Sequence, residues 1–159
     1  MSDQRLLDAL RLNGVRGLGP RLQTLLLERF GDASRVLAAS GAELLSVDGI
    51  GPKLSVAITQ AARDDEALRE LERCRADGVR LHLRDADEYP APLREICDAP
   101  LVLYLRGDYR PQDALAIAIV GSRRATLYGH QQAERFGAGL ARAGFTVVSG
   151  LARGVDAAA

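Results

Sequence analysis

The sequence has few of the residues that mark cysteine-rich, metal-binding or membrane-spanning proteins. Its 159 residues contain no tryptophan, one methionine, two cysteines and two histidines. Cys74 and Cys97 lack the paired spacing of a zinc site, and no apolar run reaches the ~20 residues that cross a bilayer. No basic segment followed by an apolar core opens the chain. These absences predict a cytoplasmic protein without a structural metal or a membrane anchor.

Excess positive charge is also absent, since 21 basic residues balance 21 acidic ones. Strongly basic domains coat nucleic acid non-specifically, so any nucleic-acid site here must be a local patch. Lys53 is the only lysine, and arginine supplies the rest of the positive charge. Arginine suits bidentate binding of phosphate, although the codon bias of a GC-rich genome explains the same preference.

Two short segments repeat each other at an offset of 32 residues, VRGLGPRL at 15–22 and VDGIGPKL at 47–54. In each copy two glycines make a tight hairpin, and a proline follows at the first position of a predicted helix. This pattern is typical of a helix-hairpin-helix module, whose turn glycines let a DNA backbone approach closely. An equally open alternative is a module that only packs or contacts protein. The candidate DNA contacts are Gly17, Gly19, Arg21, Gly49, Gly51 and Lys53.

Apolar spacing predicts about five helices over residues 1–77, including one long helix over 52–76 with Asp64, Asp65 and Glu66 on its solvated face. Apolar and polar residues then alternate at 79–84, and 101–105 has the composition of a second strand. The change of period predicts a helical domain over 1–77 and a second domain over 78–159.

The strongest local signal lies in the last third of the chain. Residues 115–120 have the composition of a buried strand, a helix is predicted at about 128–143, and 145–148 form another apolar strand. Strand, glycine turn, helix and strand in this order are typical of the opening of a parallel, nucleotide-binding type of sheet. Because one crossover is too few for a stable doubly wound domain, we expect a fragment of a longer protein.

The turn after the first of these strands is not a cofactor fingerprint. It has one of the three glycines of the dinucleotide motif, and a serine and a glycine replace the acidic residue that holds ribose. No P-loop is present, so we expect no cofactor. The remaining prediction is a phosphate site, in which Arg123 supplies charge; alternatively Arg123 is a solvated loop residue or an ion-pair partner of Asp156. The predicted site residues are Gly121, Ser122, Arg123, Arg124, Ser149 and Gly150.

The remaining polar residues suggest no catalytic site and no metal site. His82 is predicted at an exposed strand position and His130 on a polar helix face, so each is expected at the surface. No residue is therefore assigned a catalytic or metal-binding role.

Several longer blocks occur in a defined order along the chain. They are Tyr89–Pro90 with Leu93, residues 98–107, Ile119–Arg123, Tyr128–Gly129 and residues 149–156. Together with the hairpins they resemble the N-terminal portion of the DprA/Smf family, DNA processing proteins that mediate recombination. The resemblance implies an α+β chain, with an all-α, SAM-like helix-hairpin-helix domain similar to the second domain of RuvA. The first half of an α/β, Rossmann-like parallel-sheet domain follows, truncated in this chain.

The resemblance also implies function. Members of this family bind single-stranded DNA without catalysis, protect it during natural transformation, load RecA onto it and often form homodimers. The family's Gly-Ser-Arg turn corresponds to Gly121, Ser122 and Arg123, and it implies backbone-led, salt-sensitive binding. We expect the 159-residue chain alone to bind DNA weakly or not at all, because further pocket residues of the family lie beyond this region.

Two other functions stay open at this point. Rossmann-like enzymes of the lysine-decarboxylase-like family use a similar glycine turn on nucleoside monophosphates, but usually lack a helix-hairpin-helix domain. Alternatively, residues 1–77 form a protein-interaction module, and only the second domain holds DNA.

Overall fold

A computed structural model describes residues 3–159, so Met1 and Ser2 of the predicted helical domain lie outside the described residues. The chain divides into two compact units, the first ending at Asp108 and the second beginning at Tyr109. Helices and strands are mixed, as the sequence predicts. Within the described residues, no helix is both long enough and apolar enough to cross a membrane.

Six helices make up most of the first unit. The predicted long helix over 52–76 is wrong, because the chain forms two helices there, separated by residues 62–65. The Asp64 carboxylate accepts a 2.8 Å hydrogen bond from the backbone N–H of Glu66, the first residue of the second helix. The apolar period continues across this break because both helices face the same core. The helices are α1 (Asp3–Asn13), α2 (Pro20–Phe30), α3 (Ala33–Ala38), α4 (Gly41–Leu45), α5 (Pro52–Ala61) and α6 (Glu66–Ala76).

The two hairpins adopt the same backbone structure. Gly17 and Gly49 have φ angles of 87° and 83°, in the left-handed region that glycine tolerates. The hydrogen bonds repeat at the same offset as the sequence. In the first hairpin the N–H of Leu18 donates to the carbonyl of Val15 at 3.1 Å. In the second, the N–H of Ile50 donates to the carbonyl of Val47, also at 3.1 Å. The internal repeat is therefore structural, and it places a proline first in both α2 and α5.

The hairpins also pack against each other reciprocally. A Cβ atom built on Gly17 would lie 3.6 Å from Cδ2 of Leu54, and one built on Gly49 would lie 2.8 Å from Cδ2 of Leu22. Leu22 and Leu54 occupy the same position in the two repeats. Each hairpin glycine therefore faces the leucine of the other copy, which is the contact pattern of a local two-fold pseudosymmetry.

An antiparallel pair of strands completes the core of the first unit. β1 (Arg80–Leu83) pairs with β2 (Val102–Leu105), and both strands contact α1. Leu81, Leu83 and Val102 are buried in the core that the helices form. The division between compact units therefore does not coincide with the predicted change at 77/78, because the strand pair shares the helical core. The domain assignment 1–77 and 78–159 stays a prediction.

A short helix and several side-chain bonds order the segment between β1 and β2. The helix α7 (Ala91–Arg94) follows Tyr89, whose ring is buried and whose hydroxyl donates to the Pro100 carbonyl at 3.0 Å. Burial raises the pKa of Tyr89. The Arg94 guanidinium lies 6.0 Å from the Tyr89 ring centroid and donates to the carbonyl of Ala86. These contacts give a structural role to the tyrosine block that the sequence singled out.

The second unit contains the predicted strand–helix–strand arrangement. A short 3₁₀ helix (Pro111–Ala114) leads into β3 (Ala116–Ala118), which is parallel to β4 (Thr146–Val148), and α8 (Leu127–Arg142) connects them. The strand predicted over 115–120 is shorter, and it is not buried, since Ala116 and Ala118 are exposed. Among residues 109–159, the strand pair is accompanied by the short 3₁₀ helix, α8 and the short α9 (Val155–Ala158), too little to cover both faces.

Candidate nucleic-acid interface

The turn after β3 is exposed, and a serine side chain within it bonds the backbone of the same turn. Ser122 Oγ accepts a 3.1 Å hydrogen bond from the backbone N–H of Arg124. The helix itself begins later, at Leu127, where the Thr126 side chain caps it by accepting from the N–H of Gly129 at 3.2 Å. The helix predicted at about 128–143 is therefore present, and the residues of the turn separate its first residue from Gly121 and Ser122. The amides of Gly121 and Ser122 are not those of the α8 N-terminus.

The turn after β4 lies against the first turn. The Val155 N–H donates to the Ser122 carbonyl at 3.2 Å, and the Ser149 hydroxyl donates to the Asp156 carbonyl at 3.0 Å. Leu151, in the turn after β4, has a positive φ of 52° and is 85% exposed. The two turns at the carboxyl ends of β3 and β4 are thus joined into one surface, as the sequence predicts for Gly121–Arg124 and Ser149–Gly150.

Asp156 is the residue that links these turns most directly. Its Oδ1 accepts a 3.0 Å hydrogen bond from the Gly121 N–H, and a Cβ atom at Gly150 would lie 2.9 Å from Oδ2. The Gly121 amide, which the sequence predicts as a phosphate contact, is thus bonded to a carboxylate of the chain itself. The alternative ion pair between Arg123 and Asp156 does not form in residues 3–159.

Two glycines of the site serve close packing inside the protein. A Cβ atom at Gly121 would lie 2.7 Å from Cβ of Val155, and one at Gly154 would overlap the Ser122 carbonyl oxygen. The sequence predicted the Gly121 amide as an anion contact and did not identify Asp156 as its partner. Asp156 belongs to the block at 149–156 that the sequence singled out, but residue spacing does not predict a contact between residues 35 positions apart.

Three arginines give the joined turns their positive charge. Arg123, Arg124 and Arg153 are all exposed. Across residues 3–159, none of their guanidinium groups has an ion-pair partner, whereas Arg5, Arg69 and Arg80 of the first unit each bond a carboxylate. An unpaired guanidinium on an exposed turn is free to bind a phosphate in two-point geometry. We refer to these three side chains as the arginine rim.

The hairpins form a separate candidate surface within the first unit. Gly19 and Gly51 precede α2 and α5 without a side-chain cap, and a Cβ atom at either glycine would meet nothing within 4 Å. Arg21 and Lys53 are exposed next to these helix starts, and neither forms an ion pair in the described part of the chain. The six predicted hairpin contacts thus divide into two equivalent sets, each open to solvent at the helix start.

The histidines differ from their prediction. His82 and His130 are both half-buried rather than exposed, and Nε2 of His82 is buried without a hydrogen-bond partner. His82 lies between the two buried leucines of β1, and Leu103, the residue of β2 that pairs with it, is also half-buried. Among residues 3–159, no three His, Cys, Asp or Glu side chains approach closely enough to hold a metal ion.

Comparison with known proteins gives a consistent family. The model of the family DNA recombination-mediator protein A matches residues 80–159. Protein Smf of Synechocystis sp. is 32% identical over 147 residues, which cover 90% of this chain and 37% of that protein. The DNA processing protein DprA of Bacillus subtilis is 36% identical over 89 residues, 55% of this chain and 30% of that protein.

A solved structure agrees with these sequence matches. The crystal structure of DNA processing protein A (DprA) from Streptococcus pneumoniae has a TM-score of 0.67 and 26% sequence identity. The match covers 94% of this chain and 50% of that chain, so the chain spans half or less of the length of these relatives. The family description names a mediator of DNA recombination, not a catalytic activity. The chain belongs to the DNA recombination-mediator protein A (DprA/Smf) family.

Proposed function

We propose that the intact protein binds single-stranded DNA through the arginine rim and delivers it to RecA during recombination of incoming DNA. The main support is that Arg123, Arg124 and Arg153 are exposed and form no ion pair within residues 3–159, on two turns that are hydrogen-bonded to each other. Family membership supports the recombination role, and it favours a mediator over the alternative enzyme acting on nucleoside monophosphates.

The rim is suited to the backbone of a single strand. Three guanidinium groups on adjacent turns can neutralise successive phosphates without reading sequence. Tyr128 is the second residue of α8, four residues after Arg124 in the sequence, and it is 70% exposed. An exposed aromatic ring close in sequence to the rim arginines offers a stacking surface for unpaired bases, which duplex DNA does not present. This combination favours single-stranded DNA over duplex.

The wider assignments are part of the same proposal. We propose a cytoplasmic homodimer whose second domain completes a Rossmann-like parallel sheet, and whose helical domain is of the SAM-like helix-hairpin-helix type. The parallel β3–β4 pair and the paired hairpins support these assignments. No cofactor and no catalytic residue enter the proposed function.

The helical module is the second candidate for DNA contact. Its support is the pseudosymmetric pair of open helix starts, with Arg21 and Lys53 unpaired beside Gly19 and Gly51. Chemical-shift mapping with an oligonucleotide tests it. Shifts at Gly17, Gly19, Gly49 and Gly51 are expected if the hairpins contact DNA, while their absence favours the protein-interaction module.

The decisive experiment titrates fluorescent poly-dT with the intact protein across a salt series. Arg123→Ala is expected to weaken binding about tenfold and to reduce the slope of log K against log salt by about 0.7, because one phosphate contact is lost. The matched control is Arg142→Ala, which removes an exposed arginine from the other end of α8 and is expected to leave both quantities unchanged.

Two results would reject this function. Equal losses of poly-dT affinity in Arg123→Ala and Arg142→Ala would show a general effect of charge and no specific binding by the arginine rim. No poly-dT binding by the intact wild type, together with saturable AMP binding, would favour the nucleoside-monophosphate enzyme.

A further inference from the structure

We infer that Asp156 is a specificity residue, an internal anion that occupies the phosphate position of the β3 turn and thereby excludes free nucleotides from it. In open α/β sheets, small ligands bind in the crevice at the carboxyl ends of the strands, where the first turn offers its backbone amides to phosphate. In this chain that crevice lies between the turn at Gly121 and the turn at Gly150. The inference goes beyond the proposed function and does not depend on DNA contact by the rim.

The carboxylate fills the crevice from both sides. Oδ1 accepts the Gly121 N–H at 3.0 Å, and Oδ2 faces Gly150, where a Cβ atom would lie 2.9 Å away. The main chain holds this arrangement, because the Asp156 carbonyl accepts the Ser149 hydroxyl and the Val155 N–H donates to Ser122. The carboxylate is therefore positioned by both turns.

Charge adds to this occupation. Within residues 3–159 Asp156 has no cationic partner, so its negative charge is not cancelled by an ion pair. An incoming phosphate would lose the Gly121 amide to the carboxylate and would also meet a like charge at short range. Both effects disfavour a free phosphate monoester at this position.

The same arrangement leaves a polymer accessible. Asp156 is half-buried between the turns, whereas the three arginine side chains of the rim are exposed. A DNA backbone can be held at the rim by side chains without entering the crevice, and several phosphates share the binding. A mononucleotide has one phosphate group and needs the crevice amides. Asp156 thus separates strand binding from nucleotide binding.

Isothermal titration of the intact protein with inorganic phosphate and with AMP tests the inference. The wild type is expected to show no saturable binding. Asp156→Asn removes the charge but keeps an acceptor for Gly121, and we expect weak binding of both ligands. Asp156→Ala frees the amide and the space, and we expect affinity at least about tenfold higher than in Asp156→Asn, the worth of a charged hydrogen bond.

Controls separate this role from a merely structural one. Asp113→Ala removes another hydrogen-bonded carboxylate from the same unit, near the start of β4, and is expected to gain no phosphate binding. If Asp156→Ala fails to fold by circular dichroism, the isosteric Asp156→Asn still tests the charge. Saturable AMP binding by the wild type would overturn the inference, as would no gain in any folded Asp156 variant. Poly-dT binding is measured separately, so failure of the DNA-binding proposal would be distinguishable.

Discussion

Leu12, Leu26 and Ile58 of the first unit are fully buried, whereas Leu115 and Phe136 of the second unit are more than half exposed. Both regions have clear local patterns for helices and strands, and both form them. The difference is that six helices and a strand pair enclose one core in the first unit, while one long helix accompanies two strands in the second. Within residues 3–159, both units therefore have regular local structure, but the enclosed hydrophobic core belongs to the first unit.

A pair of truncations tests this comparison with the largest expected effect. Leu26→Ala in the first unit leaves a cavity and is expected to lower the free energy of unfolding by about 2–5 kcal/mol. In the same 159-residue chain, Phe136→Ala removes a side chain that is 63% exposed, and we expect it to change the free energy of unfolding by at most about 0.5 kcal/mol. Urea unfolding, monitored by amide exchange in each unit, measures both changes in the free energy of unfolding. Equal losses of stability in the two variants would contradict the comparison.

Glycine-to-alanine substitutions sharpen the comparison, since they are expected to differ in sign. Gly49→Ala combines a left-handed φ with a Cβ only 2.8 Å from Leu22, and about 2–4 kcal/mol of stability is expected to be lost. Gly17→Ala has the same backbone cost but more room, so about 1–2 kcal/mol is expected. Gly139→Ala in α8 meets no atom and is expected to stabilise the second unit by about 0.5–1 kcal/mol.

Thermal unfolding of the three variants measures these changes. A Gly17→Ala loss as large as that of Gly49→Ala would show that the tighter Leu22 contact relaxes freely. Destabilisation by Gly139→Ala would contradict the open environment of this glycine.

The smallest expected effect is a pH dependence in each unit. Hydrogen bonds from the Ser40 hydroxyl and backbone N–H lower the pKa of Glu43, and the Arg110 backbone N–H and Thr146 hydroxyl lower the pKa of Asp113. Because both folded pKa values lie below the unfolded ones, the stabilisation is complete above an ordinary carboxyl pKa of about 4. It is lost as the pH falls through the lower, folded values.

Unfolding midpoints from pH 7 downward check this sign, with Glu43→Gln and Asp113→Asn as the neutral counterparts. Each variant is expected to reduce the acid-induced loss in its own unit only. A variant that flattens the pH profile of the other unit, or of neither, would contradict the assignment of these carboxyl groups.

Much of the local structure could be predicted from the sequence. The two hairpins follow from Gly-x-Gly-Pro segments, because a left-handed turn followed by a helix start depends only on residues that are close in the chain. The β3–α8–β4 arrangement follows in the same way from alternating apolar runs and a glycine turn. The arginine rim was predicted in part, since Arg123 and Arg124 belong to this local turn and Arg153 was not selected.

The tertiary structure decided the features that depend on which surfaces meet. The break between α5 and α6 is hidden in the sequence because the apolar period is the same on both sides. The association of β1 and β2 with the helical core, and the half-burial of His82, depend on packing between distant segments. The bond between Gly121 and Asp156 spans 35 residues. Sequence alone determined short-range conformation, since its energetic preferences act within a few residues, whereas the folded chain determined which buried and polar groups became partners.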